Sequence, residues 1–163
     1  MKNQQRAFTL IEMMIVVAMI GIMATMALPT YHDRVIRTQI EEALALSDIA
    51  KQAISEYFER TRRFPRDNRQ AMIPPSDKLI GNFVKGIRIQ DGAIHVTLGN
   101  RVNAHVNSKV ITLRPAMVDG SPQSPISWLC GYAQPVSGMT GVGSNKTSVP
   151  ENYLPFPCRH WRS

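Results

Sequence analysis

The sequence predicts an α+β fold: a long N-terminal helix packed on a four-stranded antiparallel sheet, with a C-terminal disulfide loop. Three observations lead there. Residues 8–28 are almost wholly apolar, and residues 31–60 continue without Gly or Pro, with apolar side chains every three or four positions. The stretch "GIRIQDGAIHVTLG" alternates apolar and polar residues on either side of Asp91-Gly92. The final third is rich in Gly, Ser and Pro and holds the two cysteines, Cys130 and Cys158.

At 163 residues the chain fits one globular domain plus an appendage, and what remains beyond residue 28 suffices for a modest core. The formal charge is +7, from 19 Lys+Arg against 12 Asp+Glu. That balance suits anionic partners such as nucleic acid, phospholipid heads or acidic cell surfaces, and equally an ordinary solvated surface.

As a helix, residues 8–28 would rise about 31 Å, close to the hydrocarbon thickness of a bilayer. Lys2 and Arg6 precede them, which predicts a cytoplasmic N-terminus and an exported remainder. A secretory signal peptide cut near residues 25–27 competes, but the run exceeds the usual apolar region of about 7–15 residues. A plain anchor leaves Glu12 unexplained, since a charge at the bilayer centre costs about 2.5–3.5 kcal/mol. Downstream, Ile36, Ile40, Ala43, Leu46, Ala50, Ile54 and Tyr57 form one stripe of an amphipathic helix. Only Pro29 separates the two halves and Gly21 is a second soft point, so a single, slightly bent helix of about 50 residues is expected.

Residues 61–77 are polar and proline-bearing and read as a connecting loop. Ile87 and Ile89, then Ile94, Val96 and Leu98, mark a two-residue hairpin about Asp91-Gly92. A third strand is expected at 110–114, ending at Pro115, and a fourth at 126–132, where Ile126, Trp128, Cys130 and Tyr132 alternate. The helical stripe can cover the apolar face of such a sheet. An even cysteine count in an exported chain favours a Cys130–Cys158 disulfide over a thiol pair, worth about 3.5 kcal/mol for a loop of this length.

The motif "RAFTLIE" before an apolar helix resembles the class III leader of type IV prepilins and pseudopilins. The resemblance implies that prepilin peptidase removes a leader, residues 1–7, by cutting between Ala7 and Phe8, and that Phe8 is then N-methylated. Ala7 stands where the family usually has Gly and is the next smallest side chain. Glu12 takes the place of the glutamate at the fifth mature position, and Gly21 and Pro29 sit where pilins tend to have a glycine and a proline. The implied organisation is a transmembrane and filament-core helix at 8–28, its amphipathic half at 29–60, and a globular head at 61–163 with the disulfide loop 130–158. Tyr153, Leu154, Pro155 and Cys158 resemble the "YLP…C" end of the disulfide loop in Gram-negative type IVa-like pilins, a loop that pseudopilins of type II secretion usually lack.

What the resemblance implies is a structural subunit that polymerises through its apolar helix into a surface filament for adhesion, twitching motility or DNA uptake. Its partners would be further copies of itself, minor pilins, prepilin peptidase and the assembly platform of the inner membrane, where the precursor would lie with its head periplasmic. In the filament Glu12 would meet the Phe8 amine of a neighbouring copy. Two unit charges 4 Å apart attract by about 4 kcal/mol at an effective dielectric of 20, and desolvation offsets much of this. The larger effect is on register, because a misplaced copy would bury an unpartnered carboxylate. The alternatives are a minor or competence pilin that binds DNA, and a pseudopilin of a type II secretion system.

No enzyme chemistry stands out. Gly138 and Gly143 have the spacing of a phosphate-binding loop, but Ser144 follows and Lys146-Thr147 are displaced by two. His32, His95, His105 and His160 show no metal-ligand spacing with the cysteines, so neither a metal nor another cofactor is expected, and no small-molecule substrate. No nucleophile elbow or catalytic carboxylate pair is present, and Asn145-Lys146-Thr147 is a weak glycosylation signal. Arg60, Arg62, Arg63, Arg66 and Arg69 crowd the exit of the helix, and Arg159 and Arg162 flank Trp161 near the end of the chain. These seven arginines are the candidate contacts to DNA or another anion.

Overall fold

The apolar periodicity that begins at Ile36 folds as helix. The computed structural model describes residues 8–160, the side chains of residues 26–30 excepted. The chain divides into two units, residues 1–34 and 35–163. Helix α1 covers Leu10–Leu46 and α2 covers Asp48–Thr61. The single continuous helix expected from sequence is therefore interrupted at Ser47. Both the amide and the hydroxyl of Ser47 donate to the Leu44 carbonyl, at 3.0 and 2.5 Å, and so compete with the regular helical bond to that oxygen.

In the second unit the expected stripe is buried at Ile36, Ile40, Ala43, Ala50 and Ile54. Its last member is Phe58 instead of Tyr57. A step of four from Ile54 serves the helical period as well as a step of three, and Phe58 gains a stacking partner in Phe64, with ring centres 4.7 Å apart. Helix α2 ends at Arg62, which takes the left-handed conformation and donates its amide to the Phe58 carbonyl at 2.8 Å.

The stripe packs on an antiparallel sheet with strand order β1-β2-β3-β4. Strands β1 (Val84–Gln90) and β2 (Ala93–Leu98) form the expected hairpin, with φ of 48° at Asp91 and 82° at Gly92, as a type I′ turn requires. Gly92 also has no room for a side chain, because a Cβ there would lie 2.9 Å from the Cβ of Phe64.

Strand β3 covers Val110–Val118 and so runs through Pro115, where the sequence predicts its end. On one edge β3 pairs first with β2, up to Leu113, and then with a fifth strand, β5 (Met139–Gly141), from Ala116. Pro115 falls at that handover, where its missing N–H breaks no ladder bond, and its carbonyl accepts from the Val142 amide at 2.8 Å. Strand β4 (Ser127–Cys130) takes the other edge of β3. The four expected strands are thus present, and β5 makes the sheet five-stranded.

Residues 62–75 form the expected loop, and it protects the outer edge of β1. The buried Asn68 side chain accepts from the Ile89 amide at 2.6 Å and donates to the Ile87 carbonyl at 2.9 Å, standing in for a neighbouring strand. The sheet's second face is also covered. Lys146 donates its amide to the Thr112 hydroxyl at 3.0 Å, and the same hydroxyl contacts Nδ1 of the buried His95 at 3.0 Å. Burial first, then the nearby Lys146 and Arg88, lower the His95 pKa from 6.5 to about 4.

Two stability predictions follow from these buried polar groups. Asn68→Ala strands the Ile89 amide and the Ile87 and Pro74 carbonyls, so urea denaturation of the full chain in detergent is expected to show a loss of about 2–4 kcal/mol. A loss below about 1 kcal/mol would mean that water replaces the amide. For His95, the unfolded chain takes up a proton between pH 6.5 and 4 and the folded chain does not, so stability falls as pH falls through that window, by about 3 kcal/mol in all. His95→Gln should flatten this part of the stability profile. An unchanged slope in the variant would assign the dependence to other groups.

Candidate assembly site

In the first unit no side chain from residue 8 to residue 25 is buried, and the large apolar ones range from Val16 at 45% exposure to Leu10 at 79%. α1 is therefore apolar on every side here and lacks a partner within the described chain. Among the described residues no helix is long and apolar enough to cross a membrane, and the expected span 8–28 ends in residues 26–28, whose side chains are not described. Phe8 is exposed, whereas Ala7 lies outside the described residues. α1 is continuous through Gly21 and Pro29, and a Cβ at Gly21 would meet nothing within 4 Å.

Glu12 is exposed and folded back on Thr9. Its carboxylate accepts from the Thr9 amide and hydroxyl, and its own amide donates to the Thr9 hydroxyl, all at 3.4 Å. This reciprocal pair is a capping box at the start of α1. Its signature, Thr-x-x-Glu within "FTLIE", is present in the sequence, and Thr9 is the residue that the reading above passed over.

At the other end of the chain, Cys130 and Cys158 are bonded, with Cα atoms 4.4 Å apart. The loop they close returns to the core through Val149 and Leu154, both fully buried. Gly131 has φ 58°, and a Cβ there would lie 2.5 Å from the Cys158 carbonyl oxygen, so this approach needs glycine.

The arginines do not form one surface of free charge. Arg62 donates to the Pro122 carbonyl at 3.0 Å, and Arg60 to the Glu56 carbonyl at 3.3 Å. Arg159 donates to the Leu154 carbonyl at 2.9 Å and, with Arg37, to the Asn152 carbonyl. Arg63, Arg66 and Arg69 are exposed with no side-chain bond among the described residues, and Arg162 lies outside them. Arg69 instead joins two cations that the sequence reading missed, Lys85 and Arg88, along an open groove of about 900 Å³ between residues 67–77 and β1. Lys85 and Arg88 come from a strand, so their nearness to Arg69 leaves no trace in local spacing.

Comparison with known proteins agrees with this arrangement. The pilin family of bacterial filaments matches residues 36–159, and the prokaryotic N-terminal methylation motif matches residues 2–28. The chain is 34% identical to the type IV major pilin protein PilE of Neisseria gonorrhoeae, covering 98% of this chain and 96% of that protein. It is 32% identical to a fimbrial protein of Neisseria meningitidis serogroup A, with 98% and 96% covered, and 34% identical to the fimbrial protein EcpC of Eikenella corrodens, with 98% and 94% covered. With an apolar N-terminal helix, a helix-backed antiparallel sheet, a disulfide-closed C-terminal loop and two family matches that together span most of its length, the chain belongs to the pilin family.

Proposed function

We propose that this chain is the major structural subunit of a type IV pilus, made as a membrane-anchored precursor and polymerised through residues 8 to about 60. The observation that carries the reading is the apolar surface of residues 8–25, exposed on all sides in one chain and interrupted by the single carboxylate of Glu12. A bilayer covers such a surface before assembly and neighbouring copies cover it afterwards. The methylation motif supports cleavage between Ala7 and Phe8, with prepilin peptidase, minor pilins and the inner-membrane platform as partners. Its relatives' names as major pilin and fimbrial protein support the major role.

In this reading Glu12 exchanges partners. In one chain it caps α1 through contacts of 3.4 Å, long enough to be weak, and in the filament it faces the Phe8 amine of another copy. Glu12→Ala is expected to leave processing and membrane insertion intact while reducing filament yield at least tenfold, as scored by electron microscopy of sheared preparations. A normal yield would remove Glu12 from assembly. Mass spectrometry of wild-type filaments should find this chain as the main component, starting at a methylated Phe8. Filaments that persist unchanged when the chain is deleted would refute the major-subunit reading.

A further inference from the structure

We infer that the outer face of α2 in one copy of this chain seats in the groove between residues 67–77 and β1 of a second copy. The inference rests on the filament-subunit reading and names a directional contact within it. On α2, Ile49, Gln52, Glu56 and Glu59 are exposed at steps of three and four, opposite the buried Ala50, Ile54 and Phe58. Ile49 is 49% exposed and gives this face an apolar anchor. Glu56 and Glu59 give it negative charge; the Glu56 carboxylate accepts from the Gln52 side chain at 3.0 Å, and among the described residues no cation forms an ion pair with either acid. Lys51 is paired with Asp48 at 2.8 Å, and Arg60 is turned to a backbone carbonyl.

The groove offers the complement. Arg69, Lys85 and Arg88 supply positive charge, and Ile73 and Pro75 supply apolar wall. Of its two acids, Asp67 is engaged by the Gln70 amide at 2.8 Å, and Asp77 sits in the short 3₁₀ turn Ser76–Lys78. The bias extends beyond the groove, because residues 62–160 carry twelve Lys or Arg against five Asp or Glu. An apolar anchor at one helical position, with charges about two and three turns away on the same face, is the pattern of a helix laid into a groove.

The two surfaces are different patches of one chain, so a pairing that uses each of them once per pair of copies is heterologous. A contact of that kind adds copies in one direction and builds an open helical array unless the rotation happens to close.

Charge exchange tests the contact in assembling cells. Glu56→Lys with Glu59→Lys, and separately Lys85→Glu with Arg88→Glu, should each lower filament yield at least tenfold, while the four changes together should restore it to within about threefold of wild type. Because the fourfold variant contains every substitution, its recovery excludes misfolding as the cause of the losses. As a second measurement, chains carrying Glu59→Cys and chains carrying Arg69→Cys, expressed together, should give disulfide-linked dimers from oxidised filaments. Wild-type filaments with reversed-charge variants of equal yield would overturn the contact alone. So would losses that the fourfold variant does not recover, combined with no cross-link. A wild-type chain that never enters a filament would overturn the subunit reading, and this contact with it.

Discussion

A helix that is apolar on every side has no stable exposure to water, and that constraint organises this chain. Helix α1 meets it in two ways along one run of backbone. Over Ile36, Ile40 and Ala43 the helix has a single apolar stripe, and the inner face of the sheet covers it. Over residues 8–25 every side is apolar and nothing in the described chain covers any of them. One continuous element therefore has a buried end that stabilises the fold and an exposed end that requires another phase or another molecule.

Legibility in the sequence tracks how local the determining physics is. The hairpin was readable because Asp91-Gly92 alone specifies a two-residue turn and the flanking alternation specifies which face is buried. The buried stripe is readable from its period except at Leu46, which is half-buried while Ser47 takes the buried place, and at Phe58, where two steps fit equally and a residue beyond the helix, Phe64, decides between them. The break at Ser47 comes from a serine competing for a helical carbonyl, which composition does not announce. Strand β5 has three residues and no alternation, and it exists because β3 continues past Pro115 and needs an edge partner there. At the candidate site, "FTLIE" carried both the glutamate and, unread, the capping threonine. The groove was invisible because its cations arrive from a loop and a strand sixteen or more positions apart, as in Arg69 and Lys85.

The C-terminal third shows what replaces periodicity when a segment has little. Residues 142–148 follow the sheet through individual polar ties: Val142 to Pro115, Lys146 to Thr112, and Ser148 to Val110. Asn152 offers one carbonyl to two arginines, Arg37 of α1 and Arg159 beside the disulfide. Each tie is worth on the order of 1 kcal/mol, less than the entropy of ordering the residues that make it. Leu154, Val149 and the Cys130–Cys158 bond therefore have to hold the segment in place before the polar ties can form at all.

Assembly sets a parallel division of labour. Burial of apolar helix surface supplies most of the favourable free energy of packing, but it is nearly indifferent to sliding or rotation, since one greasy turn resembles the next. Register must then come from groups that lose heavily when misplaced. In the proposed filament Glu12 would be one, because a carboxylate shut in an apolar core without its cation costs several kcal/mol. It fixes position only along the helix axis and at one end. A second directional contact, far along the chain and between unlike surfaces, is needed to fix the rotation from one copy to the next. The proposed pairing of the outer face of α2 with the cationic groove beside β1 would meet that requirement, since both are built within residues 35–163 and are unlike surfaces.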